Sequence, residues 1–151
     1  MLKLVEAGMP IGLLVCKDTE PIGWCSVAPR ESYARLERSR TMPRVTSSET
    51  PTWTVLCFFV ARPYRQQHIA KAMLEGAVAY AREHGAEVIE GYPFDTAGIT
   101  STHRGHSRMF KALGFQLEGK RWYRHIGRND GAVQSRRRAA RPSPAVSTRI
   151  L

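Results

Sequence analysis

No part of this sequence approaches the run of about 18 apolar residues that a membrane-spanning helix needs, so a membrane span is not expected. Residues 1–10, with Lys3 and Glu6, lack the long apolar core of a secretory signal. Cysteine is scarce. Cys16, Cys25 and Cys57 are too few and too scattered for a disulfide framework or a zinc site, so no metal is expected. Each lies in or beside an apolar stretch, where a buried, reduced thiol is the simple reading. Together these features lead to the expectation of a cytoplasmic protein. There is no internal repeat. Acids are also few: 13 Asp and Glu stand against 23 Lys and Arg, a net charge of +10 over 151 residues. Six arginines and one aspartate beyond residue 127 carry half of that excess. A basic balance suggests nucleic acid, but half of the suggestion rests on a tail biased to Arg, Ala, Ser and Pro. Such a tail buries almost nothing, and disorder is expected over 128–151.

What is present reads as one domain over 1–127. Residues 11–16 (IGLLVC) and 22–27 (IGWCSV) are short apolar runs around a polar, proline-bearing break, the pattern of an antiparallel hairpin. Residues 31–38 are helix-compatible, and 41–52 form a loop. Residues 53–60 (WTVLCFFV) make the strongest strand, apolar nearly throughout and so covered on both faces. Apolar residues at 69, 70, 73, 74, 77, 78 and 81 predict a helix over 69–84 with one buried face, stopped by Gly85. A strand at 87–92, a Gly/Ser/Thr-rich loop, a short helix at 106–113 and one or two strands within 115–126 follow. The fold class is mixed α/β: a mostly antiparallel sheet with a right-handed, parallel strand–helix–strand crossover over 53–92.

The informative segment joins the buried strand to the helix. The first amides of a helix have no partner inside it, and they carry the positive end of its dipole. A pyrophosphate fits such a place. Arg62, Arg65 and Lys71 add positive charge, and no acid lies between residues 60 and 73. By itself the segment reads equally well as a plain turn with solvated basic residues.

The longer stretch FFVARPYRQQHIAKAMLEGAVAYAREHGAEVIEGYP, with MFKALGF further on, resembles the GNAT superfamily of acetyl-CoA-dependent N-acetyltransferases. Arg65-Gln66-Gln67-His68-Ile69-Ala70 aligns with the Arg/Gln-x-x-Gly-x-Gly/Ala signature of that family, and the resemblance covers about residues 5–125. It implies acetyl-CoA as co-substrate and a small-molecule or protein amine as acceptor. It also implies that Phe58, Phe59 and Val60 pair with the pantetheine arm as an added strand would. The amides of Gln66, Gln67, His68, Ile69, Ala70 and Lys71 would cradle the pyrophosphate. Amides near Phe58 would stabilise the developing oxyanion.

The sequence departs from the family at several points. The family's glycine falls on His68, which either keeps the loop shape or crowds the pyrophosphate. The late-helix tyrosine that serves many members as an acid falls on Phe110. Glu90 and Asp95 are candidates for a base, with a solvated carboxylate as the alternative for each; His103 and His106 read as surface residues. The family's first strand and first helix have no counterpart. The expectations are an open sheet edge, closed by a second copy of the chain if a homodimer forms, or a truncated or smaller core. Two rival functions stand beside acetyl transfer. One is a relic that binds acyl-CoA without turnover. The other is a basic nucleic-acid-binding protein built on the tail and on Arg35, Arg38, Arg40 and Arg44, which lack the interleaved aromatics of a stacking platform. Specific nucleic-acid recognition is not expected.

Overall fold

The computed structural model describes residues 11–95, 103–127 and, as backbone, 146–150. Strands β1 (Leu13–Lys17) and β2 (Glu20–Pro29) form the hairpin, turning at Asp18 with φ 54°. A 3-10 turn at Arg30–Ser32 and a single helical turn, α1 (Ala34–Glu37), replace the longer helix suggested for 31–38. Then come β3 (Thr52–Val60), a 3-10 turn at Arg62–Tyr64, and the long helix α2 (Ile69–Glu83). They are followed by β4 (Val88–Gly91), α3 (Ser107–Ala112), β5 (Gln116–Glu118), β6 (Arg121–His125) and β7 (Val146–Ile150).

These strands make one seven-stranded sheet in the order β5-β6-β4-β3-β2-β1-β7. Among the described residues only β3 and β4 run parallel; every other neighbouring pair is antiparallel. The mixed α/β class and the parallel crossover are as the sequence implies. The tail is not. Residues 146–150 pair with β1 along its whole length, from Leu13↔Ile150 to Lys17↔Val146. The expected open edge is therefore occupied by the chain's own C-terminal strand. Composition weighs only buried side chains, whereas an edge offers a row of backbone donors and acceptors to any extended segment. Residues 1–10, 96–102, 128–145 and 151 lie outside the described residues, and with them most of the tail and much of the Gly/Ser/Thr-rich loop.

Helix α2 follows its apolar spacing: Met73, Leu74, Ala77, Val78, Tyr80 and Ala81 are buried against one face of the sheet. Trp53 on β3 meets the Tyr80 ring edge-on at 5.6 Å. Both α2 and α3 end in the same cap. Gly85, at φ 82°, donates to the Arg82 carbonyl while Ala86 donates to Ala81. Gly114, at φ 79°, donates to Lys111 while Phe115 donates to Phe110. A residue with no Cβ is suited to this left-handed turn. The second cap drops Phe115 onto Phe110, with ring centroids 5.0 Å apart. Phe110 in turn covers Gly91, where any Cβ would collide with its ring.

The opposite face of the sheet is held by charge. Glu90, fully buried on β4, accepts from Arg30 Nη1, from Thr54 Oγ1 at 3.0 Å and from Tyr92 OH at 3.2 Å through one oxygen. Its other oxygen takes Arg121 Nε at 2.5 Å. Arg30 also donates to the Met42 carbonyl at 2.7 Å, which ties the 39–44 loop over this face. Burial opposes the Arg30 charge, but the neighbouring Glu90 carboxylate and Tyr92 hydroxyl outweigh it and raise the arginine's pKa. Burial, with Glu90 beside it, pushes Tyr92 up to about 12. Arg121 Nη2 is buried without a hydrogen-bond partner among the described residues; its guanidinium lies 4.5 Å over the Tyr123 ring, which offsets part of that cost.

Removing one member of a buried ion cluster strands the others in a low-dielectric site. Glu90→Gln, which keeps the shape and removes the charge, is expected to lower unfolding free energy by about 3–5 kcal/mol in urea titration. An unchanged midpoint would show that the two arginines do not depend on it.

Candidate functional site

The site begins where β3 and β4 part. Their parallel pairing runs only from Thr52↔Val88 to Val55↔Gly91. β4 ends at Gly91, and Pro93 follows shortly after, unable to donate to a ladder. β3 continues for five more residues, to Val60. Opposite β2 the register skips a residue, from Val27↔Val55 to Ser26↔Cys57. This bulge points Val55 and Phe58 to the same, helix-covered face. Phe58 is buried and meets Phe110 edge-on at 6.3 Å. Cys57 is half-buried and Phe59 is 56% exposed. Burial raises the pKa of the Cys57 thiol and carries that of Cys25 to about 12, so neither is a ready nucleophile.

At the end of β3 the chain turns through Ala61, the Arg62–Tyr64 turn and residues 65–68 into α2. Gln66 and His68 both have left-handed backbone, at φ 62° and 61°. Among the described residues, none of the amides of Gln66, Gln67, His68, Ile69, Ala70 and Lys71 donates to a carbonyl, and no side chain caps the helix. The first bond to a carbonyl is from the Ala72 amide to His68, at 3.0 Å. No acid occupies the first turn. Arg62, Arg65 and His68 are exposed beside it; Lys71 pairs loosely with Glu75 at 3.7 Å. Such a nest of free amides, backed by a helix dipole and rimmed by cations, attracts an anion.

His68 stands in left-handed backbone, which glycine adopts without strain, and its imidazole is exposed. An L residue in this backbone region costs about 1–2 kcal/mol that glycine does not. Glycine returns part of that gain through greater freedom of the unfolded chain. His68→Gly is expected to raise unfolding free energy by up to about 1 kcal/mol in urea titration. A loss of stability would mean that the imidazole makes contacts worth more than the strain.

The other expected residues fall out differently. Glu90 does not face the gap as a base: both of its oxygens are committed to the buried cluster. Asp95 is exposed but engaged. Its carboxylate accepts the Ser107 amide at 3.0 Å, at the start of α3, and lies 3.5 Å from His106 Nδ1. Hydrogen bonds from Ser107, and then from His106, hold its pKa below the usual carboxylate range. Phe110 is fully buried core. The amide of Phe58, expected to be free, donates to the carbonyl of His103 at 2.5 Å. The Val60 carbonyl accepts from Arg65 Nε at 3.1 Å. Sequence reading missed both contacts, because neither a main-chain carbonyl in a loop nor a folded-back arginine has a sequence signature. Arg44 is spent on Glu31, at 2.7 Å, and on the carbonyls of Ser47 and Thr50. Arg35, Arg38 and Arg40 are exposed. No cluster of potential metal ligands and no helix long and apolar enough to cross a membrane occurs among the described residues.

A strand that outruns its parallel neighbour, followed by a nest of free amides at a helix start, is a frame for a ligand with an extended arm and an anionic end. The acetyltransferase (GNAT) family model matches residues 4–115, and the chain belongs to that family. Solved structures share the fold. A GNAT family acetyltransferase from Brucella melitensis, in complex with acetyl-CoA, superposes with a TM-score of 0.52 at 12% identity, over 83% of this chain and 64% of that one. The GNAT family N-acetyltransferase YhbS from Escherichia coli, in complex with CoA, gives 0.53 at 16% identity, with the same coverages of 83% and 64%. AtaTR bound with acetyl-CoA gives 0.54 at 12% identity, covering 83% of this chain and 76% of that one. The chain thus spans just under two thirds of the length of the first two. Comparison with curated proteins gives no match.

Proposed function

We propose that this protein binds acetyl-CoA and transfers its acetyl group to a primary amine. The observation that carries the reading is the set of unpaired amides from Gln66 to Lys71, where a diphosphate would rest. Phe58, Phe59 and Val60 supply an extended edge for the pantetheine arm. In such a site the amine nitrogen attacks the thioester carbon, the carbon–sulfur bond breaks, and CoA leaves as thiolate. The amine proton passes to water. Holding the two reactants together supplies most of the acceleration. Amides near Phe58 would stabilise the developing oxyanion, the Phe58 N–H only once the His103 carbonyl has left it. Acid–base help from side chains is thin: Phe110 has no proton to give, Glu90 is buried in its cluster, and Asp95 is held by Ser107.

That thinness favours a second reading, a protein that holds acyl-CoA without turnover. One pair of measurements separates the two. Thermal-shift titration with acetyl-CoA is expected to give saturable stabilisation, because the ligand binds only the folded state. Lys71→Ala and Arg65→Ala should each weaken it, more so at low salt. Thiol release from acetyl-CoA across a panel of amines is then expected above the no-enzyme rate. Saturable binding with no thiol release for any amine would leave only the second reading. No shift at all would remove both.

A further inference from the structure

Among the described residues the edge of β3 beyond Val55 has no strand partner on the β4 side, yet it is not bare. The Phe58 amide donates to the carbonyl of His103 at 2.5 Å. Across the gap, the amide of Phe94 donates to the carbonyl of Gly105 at 3.3 Å. Residues 103–105, a turn, are therefore bonded to β3 on one side and to the chain three residues beyond β4 on the other. Gly105 is buried at φ 76°, and a Cβ there would stand 3.3 Å from the Phe58 ring and run into the Met109 methyl. Absence of a side chain lets the segment sit this deep. Two residues along from Phe58, the Val60 carbonyl is taken by Arg65.

We propose that the 103–105 segment is a built-in competitor for the acyl-CoA slot, which occupies the β3 edge in the resting protein and has to leave before a ligand arm pairs there. This inference rests on the acyl-CoA reading above. An amide N–H serves one good acceptor at a time, so the His103 carbonyl and a ligand carbonyl exclude each other at Phe58. Among the described residues, the Phe58 and Phe94 amides donate to it and Gly105 is buried within it, while His103 and Arg104 are exposed. While it is closed, apparent affinity falls in proportion to the open fraction.

Calorimetry of acetyl-CoA binding to the wild-type chain, Gly105→Ala and His103→Gly tests this. Gly105→Ala strains the segment, because its φ of 76° is a conformation that a residue with a side chain rarely adopts. His103→Gly only makes it harder to order, and carries the comparison if circular dichroism shows the first variant unfolded. Tighter binding is expected, by about fivefold for Gly105→Ala and about twofold for His103→Gly, as the open fraction grows. On the wild-type chain, acetyl-CoA is expected to speed tryptic cleavage of the peptide bond after Arg104, read by mass spectrometry. Equal affinities in the folded proteins, with that bond equally or better protected by acetyl-CoA, would overturn the competition and leave acyl-CoA binding standing. No binding by any of the proteins would sink the acyl-CoA reading and this inference with it.

Discussion

One carboxylate organises the end of this molecule that matters. Glu90 sits fully buried on β4 and gathers Arg30 from the end of β2, Thr54 from β3 and Arg121 from β6. Burying such charges is costly unless every partner is present, so the cluster fixes the relative positions of four neighbouring segments together. It lies in the last stretch where β3 and β4 still pair. Just beyond it, Gly91 and Pro93 end the ladder, and the strands go their own ways. The same contacts that hold the sheet shut at residues 52–55 thus define where it opens.

On the other face, packing sets the second half of the site. The apolar stripe of α2 lies on the sheet, so its N-terminus has to start near the end of β3. The bulge opposite Ser26 and Val27 turns Phe58 into the core and leaves Phe59 exposed. Phe110 and Phe115 fill the space under the parted strands and put core where other sequences could put a proton donor. What borders the gap between the parted strands is therefore mainly backbone: the edge of β3 and the start of α2. Chemistry in such a place depends on positioning and on amide dipoles more than on titrating side chains.

Much of this was legible in the residues. Period 3.6 gave α2, its glycine cap gave its end, and unbroken apolar character gave β3, because burial imposes those patterns directly. The unpaired amides at the start of α2 were legible as well, since they need only a strand, a turn and a helix in order. The roles of Glu90 and Asp95 were not. A carboxylate reads the same in sequence whether it faces solvent, a substrate or two arginines, and its partners here lie 60, 36 and 31 residues away in the chain. The closing of β1 by β7 was hidden for a related reason. Edge pairing is made by backbone groups, and the strand-forming alternation of Val146, Thr148 and Ile150 is obscured by the Arg/Ala/Ser/Pro bias of the residues before it.

The sequence by itself determined the class of fold, the crossover at its centre and the bare amides at the start of α2, because local periodicity and turn chemistry act within a few residues. Only the tertiary structure decided which groups stay available for a ligand. It buried Glu90, engaged Asp95 with α3 and gave the Phe58 amide to His103, since hydrogen bonds between distant segments depend on where the packed sheet and helices bring them.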